Sequence, residues 1–198
     1  MTAYKVPKSF GEYLLKEKNS KFYGFIFPVD GEEAIKLELE NLRKLHPKAN
    51  HHCYAWRLYK DSQFRTNDDG EPSGTAGKPI LNQLDSAEIT NVLLVVVRYF
   101  GGTKLGTNGL ITAYKETAKQ TILTCETELV IPMEKIKLQV PYHKIGDTLN
   151  YLKKINAKVT EHLLEQDYQV VVAQIASSEI EKLKTLPENL YEVKILKD

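Results

Sequence analysis

Asn91-Val92-Leu93-Leu94-Val95-Val96-Val97-Arg98-Tyr99-Phe100-Gly101-Gly102-Thr103-Lys104-Leu105-Gly106-Thr107-Asn108-Gly109-Leu110 is the run that decides the fold. Six consecutive aliphatic residues are too few to span a membrane. Without polar alternation they read as a strand buried on both faces. The chain then breaks into a loop with glycine at 101, 102, 106 and 109. Beyond Gly106, the recurrence of Leu110, Ala113, Tyr114, Thr117, Ala118, Thr121 and Ile122 predicts a helix. A strand that feeds a glycine loop opening a helix can hold an anion, because the first helical N–H groups lack partners and the dipole favours negative charge. Arg98 and Lys104 add cations on either side of that loop. The same glycines also suit a tight strand-to-helix turn with no ligand.

Outward from this run, the chain predicts an ordered series of elements. Upstream, residues 1–19 read as a polar lead-in, Lys21–Val29 as a strand, and the Ala34–Leu45 stretch as an amphipathic helix stopped by Pro47. His51–Tyr59 reads as a strand with His52, Tyr54, Trp56 and Leu58 on one face and Cys53, Ala55 and Arg57 on the other. Gln63–Thr66 is its hairpin partner. Asn67–Pro79 is a long loop of turn formers, and Ile80–Leu84 a short helix. Downstream, the segment that ends at Ile131-Pro132 marks a domain boundary. Strand 135–141, helix 142–155, strands 157–164 and 168–176, helix 179–186 and strand 190–196 then follow in βαββαβ order, the ferredoxin-like split motif. The domains are accordingly residues 1–130 and 131–198.

Bulk composition excludes several classes. The 198 residues carry a net charge of +1, so no global field draws the chain to nucleic acid or an anionic membrane. Any nucleic-acid contact must be a local patch. The two cysteines, Cys53 and Cys125, have apolar neighbours and read as free thiols. No signal peptide or membrane span is visible, which predicts a cytoplasmic protein.

The motifs are judged by their spacing. Gly101 and Gly106 are separated as in a phosphate-binding P-loop, but Thr107-Asn108 stands where lysine and a hydroxyl residue are needed. Asn67-Asp68-Asp69-Gly70-Glu71 fails as a calcium loop, since Arg65 and Ala76 fall on its end ligand positions. Asp68, Asp69 and Glu71 remain an acidic site candidate, against an acidic turn held by its own side chains. His51 and Cys53 share a strand face and His52 does not, which leaves too few ligands for zinc. No metal and no cofactor are expected. Ser73 and Thr75, with their glycines, could turn backbone N–H groups toward a phosphate. Tyr99 and Phe100 beside Arg98 suit stacked bases, or else the core.

Several of these blocks together resemble one family. Arg98-Tyr99-Phe100-Gly101-Gly102-Thr103-Lys104-Leu105-Gly106 is similar to the signature of the IMPACT/YigZ family. Asp69-Gly70-Glu71-Pro72-Ser73-Gly74-Thr75-Ala76-Gly77-Lys78-Pro79 resembles its second block, and His52-Cys53-Tyr54-Ala55 and Ser20-Lys21-Phe22 match its pattern. The resemblance covers about residues 18–125 and implies an α+β chain. Its N-terminal domain would be ribosomal protein S5 domain 2-like, and its C-terminal domain ferredoxin-like, as in bacterial members. That pair is similar in fold to two successive domains of elongation factor G. Eukaryotic members regulate translation by competing for the activator of an amino-acid-starvation kinase, with an additional N-terminal RWD domain. Here the first predicted strand begins within about twenty residues, which leaves no room for such a domain.

The expectation is a non-catalytic protein that acts on translation through the ribosome, RNA or a translation-regulating protein, with no membrane partner. Arg98, Lys104 and Lys78 would meet phosphate, Tyr99 would stack, and Gly101, Gly102, Gly106, Ser73 and Thr75 would line the anion site. One alternative is an enzyme for a small phosphorylated or nucleotide-like substrate, in which the loops 67–79 and 101–107 would close one pocket. The other is a protein-interaction module with purely structural glycines.

Overall fold

The computed structural model describes residues 3–196, apart from the side chains of Asp61 and Lys184. It is a mixed α/β chain of two compact units, Tyr4–Val130 and the residues from Ile131 onward.

The first unit is built on an antiparallel five-stranded sheet. Its strands are β2 (Gly11–Glu17), β3 (Ser20–Pro28), β4 (His51–Arg57), β5 (Phe64–Asn67) and β6 (Val92–Tyr99), in the order β2-β3-β6-β4-β5. The aliphatic run is the middle strand, and Val92 through Val97 are fully buried. Its alternation divides two cores. Val92, Leu94 and Val96 face helices α2 (Gly77–Ser86) and α3 (Gly106–Leu123), while Leu93, Val95 and Val97 face helix α1 (Glu32–Leu45). Burying each such side chain contributes on the order of 2 kcal/mol. The faces of β4 fall as the sequence predicts, with Cys53 and Ala55 under α2 and α3 and with Tyr54, Trp56 and Leu58 under α1.

Residues 4–17 are not a polar lead-in. Lys18 and Asn19, at φ 44° and 65°, make a tight left-handed turn that pairs β2 with β3, so Glu17 sits opposite Ser20. Strand β1 (Tyr4–Pro7) pairs with β7 (Thr127–Val130) in a separate two-stranded sheet, Tyr4 opposite Val130. The short helix expected at Ile80–Leu84 extends over the whole of α2.

In the second unit, β8 (Met133–Pro141), α4 (Ile145–Lys154), β9 (Lys158–Leu164), β10 (Tyr168–Ala176), α5 (Glu181–Lys184) and β11 (Lys194–Leu196) follow in the predicted order. The sheet order is β11-β8-β10-β9. Helix α5 is a single turn, and β11 covers only the end of the stretch predicted as strand. The core joins Leu138, Val140, Leu152, Val171, Ala173 and Ile175.

Candidate functional site

The site lies in the first unit, where β6 ends and both glycine loops arrive. Arg98, the last buried residue of β6, is not at the rim of the loop. It is 5% exposed, and its Nη1 donates to Glu71 Oε1 at 2.5 Å. The Tyr114 hydroxyl, from α3, donates to the same oxygen at 2.9 Å. His51 Nε2 lies 3.8 Å from it. The Cys53 thiol lies 3.0 Å from the Asp68 carbonyl and 3.2 Å from the Tyr114 hydroxyl. Burial raises the Cys53 thiol far above its usual range, and does the same to Tyr114, so both stay protonated. Glu71 is therefore a buried acceptor that ties the 68–77 loop to the sheet, and Arg98 is its counter-ion rather than a phosphate ligand.

The other two acids are also occupied. Asp68 accepts from the backbone N–H groups of Gly74, Ala76 and Gly77 at 2.9, 3.0 and 2.8 Å. It thereby caps the start of α2 from eight to nine residues upstream. Asp69 accepts from His52 N at 2.6 Å, and Arg43 lies 3.9 Å away. The acidic stretch is thus a turn held by its own side chains. Among the described residues no group of three or more histidines, cysteines or carboxylates is placed to hold a metal.

The same bonds redirect the first loop. Gly74 N turns onto Asp68, and the Thr75 amide and hydroxyl both bond Pro72 O. Thr75 is buried, and Ser73 is exposed. The backbone of this loop faces inward, contrary to the expectation that it presents N–H groups to a phosphate. Lys78 is exposed on the first turn of α2.

The second loop is divided. Phe100 N donates to Asn50 Oδ1 and Gly101 N to Ser20 Oγ, so neither amide is free. Gly101 is a close-approach residue, because a Cβ there would collide with the backbone of Asn19 and Ser20. Gly102 and Gly106 have positive φ and open space beside them. Lys104 is exposed and has no ion pair among the described residues. The first turn of α3 has neither an acidic residue nor a side-chain cap.

The two loops do meet. Glu71 and Pro72 from one, and Phe100, Lys104, Gly106 and Thr107 from the other, line an open depression of about 390 Å³. Tyr99 points to the opposite face, with its hydroxyl 3.0 Å from His46 Nδ1. Of the two aromatic residues that the sequence offered for stacking or for the core, Phe100 is the outward one, 46% exposed and backed by the Arg98 guanidinium at 5.6 Å. A larger cavity of about 680 Å³ lies at the other end of the sheet, around Tyr59, Arg57 and Asp85, where Arg57 pairs Asp85 at 3.2 Å.

Residues 18–122 match the Impact N-terminal domain. Over 175 residues the chain is 37% identical to the IMPACT family member YigZ of Escherichia coli, covering 87% of this chain and 84% of that protein. It is 33% identical over 98 residues to Protein IMPACT of Homo sapiens, covering 46% of this chain and 30% of that one. A crystal structure described as that of a hypothetical protein superposes with a TM-score of 0.69 at 30% identity, over 100% of this chain and 98% of the other.

Proposed function

The chain belongs to the IMPACT family, and from that premise we propose that it is a non-catalytic cytoplasmic regulator of translation that binds the ribosome, RNA or a translation factor. Lys104 carries this reading. It is an exposed cation without an ion pair among the described residues, beside a helix start whose N–H groups no side chain caps. Further support comes from the second unit, whose sheet order agrees with a ferredoxin-like fold. With an S5 domain 2-like first unit, it would form the two-domain pair common to the bacterial members. Among the described residues no helix is long and apolar enough to cross a membrane.

The enzymatic alternative gains one observation, the meeting of the two loops in a single depression. The one acid candidate among the described residues there is already engaged, since Glu71 accepts from Arg98 and Tyr114.

The test is co-sedimentation of the protein with purified ribosomes across a salt series. We expect pelleting at about 50 mM salt that falls away toward 200 mM, and a shallower salt dependence for Lys104→Ala. Absence of pelleting at the lowest salt would overturn the reading.

A further inference from the structure

Phe100 stands on a ridge between two depressions. On one side is the pocket beside Lys104 and the start of α3. On the other is a depression of about 370 Å³ lined by Asn19, Lys21, Tyr23, His46 and Tyr99, with Phe100 as the shared wall. Each has a volume near the lower end of the range for small-molecule sites, enough for one planar base. Lys21 and Tyr99 sit directly opposite each other in the β3–β6 register, next to the paired Phe22 and Arg98.

The chemistry of the two depressions alternates between ring and cation. Tyr23, His46 and Tyr99 form an aromatic cluster with centroids about 6 Å apart or less. Burial lowers the His46 pKa, so its imidazole is neutral near pH 7, and its Nε2 is buried without a hydrogen-bond partner. Lys21 and Lys104 are exposed, without an ion pair among the described residues. Among the described residues, the one carboxylate lining either depression is Glu71, already engaged by Arg98. Arg98 lies between the Phe22 and Phe100 rings, 5.2 and 5.6 Å from their centroids, and fixes Phe100 from behind. Its own Nε–H is buried and unpartnered.

We propose that this ridge is a track for single-stranded RNA about two nucleotides long, with Phe100 as the stacking platform. One base lies against Phe100, with its phosphate between Lys104 and the first amides of α3. The neighbouring base enters the Tyr23–His46–Tyr99 depression, with Lys21 at its phosphate. The occupant follows from charge and shape. Two free cations call for a polyanion, and exposed ring faces call for unpaired bases. A duplex hides its base faces and offers nothing to Phe100. Arg98 is here a positioning residue: it backs the Phe100 ring from the floor of the Lys104 depression, with its charge already engaged by Glu71. This inference rests on the translation reading and narrows it to one ligand and one surface.

The experiment is fluorescence anisotropy of the full chain with a labelled RNA octamer, a DNA octamer of the same sequence and the corresponding RNA duplex. Wild type should bind the single-stranded RNA best. Phe100→Ala should weaken that binding roughly tenfold without changing its salt slope, and Phe100→Tyr should restore it. Lys21→Ala and Lys104→Ala should each lower the slope by about one. Thermal melts of each variant check the fold, which the exposure of Phe100, Lys21 and Lys104 should leave intact. Equal or tighter binding of duplex or DNA, or no effect of Phe100→Ala, would overturn the track. If ribosomes pellet with wild type and Phe100→Ala alike while the octamer fails to bind, the track falls and the translation reading stands. If ribosomes do not pellet with wild type, the translation reading falls.

Discussion

The guanidinium of Arg98 and the carboxylate of Glu71 meet at 2.5 Å, with both side chains almost wholly withdrawn from water. Each neutralises a charge that the interior would not tolerate alone. Arg98→Ala should therefore cost about 3–5 kcal/mol in urea denaturation, because it leaves the Glu71 carboxylate buried and without its cation. Replacing both with apolar residues of similar volume, Arg98→Met with Glu71→Leu, should recover most of that loss.

Asp68 should behave as a helix cap. Asp68→Ala removes the acceptor for three backbone N–H groups at the start of α2, and should cost about 1–2 kcal/mol in the same assay. Asp68→Asn keeps the oxygen that serves Ala76 and Gly77 and should cost less.

Gly101 and Gly31 make a contrasting pair. Gly101→Ala forces a methyl into the backbone of the β2–β3 turn and should destabilise by about 2 kcal/mol or more. Gly31 has extended backbone at φ −177° and open space around it. Gly31 is also the N-cap of α1, so Gly31→Ala should cost up to about 1 kcal/mol, clearly less than Gly101→Ala.

The two histidines of the α1 face set an acid limit. Burial lowers the pKa of His46. Burial also lowers that of His52, where the Asp69 carboxylate opposes the shift and Arg43 and His46 add to it. Below the ordinary value of 6.5, the unfolded chain thus binds more protons than the folded one. Their contribution to stability is full above that pH and declines as pH falls beneath it. Thermal melts from pH 7.5 to 5 should show this decline, and His46→Gln should flatten it.

The two thiols should label differently. Cys53 is fully buried with a raised pKa, whereas Cys125 is half-buried. Iodoacetamide on the native protein at pH 8 should modify Cys125 and spare Cys53, as read by mass spectrometry. Denaturation should expose both.

What the sequence reveals and conceals here follows from the range of each interaction. The β6 run, α3 and β10 are carried by local periodicity and are legible. The β2–β3 hairpin escapes because Lys18-Asn19 occupies a turn where the familiar signal is Asn-Gly. Helix α5 shrinks because Leu183 is the one buried anchor among its described side chains. At the site, family blocks mark the two loops, but nothing local reveals that Arg98 and Glu71, 27 positions apart, are partners. An arginine beside a glycine loop suggests an anion outside. Only the folded contact with Glu71 shows that its anion is internal, and only the exposure of Phe100 shows that this side chain faces outward.

The pairing of β1 with β7 has a consequence for biogenesis. During synthesis, Tyr4 leaves the ribosome long before Val130, its partner across the ladder. An N-terminal strand with an unmatched edge must wait through the making of every other element of that unit. Closure of the small sheet is therefore a late event, governed by elongation rate, and slowed translation prolongs the interval in which that edge is open to other chains.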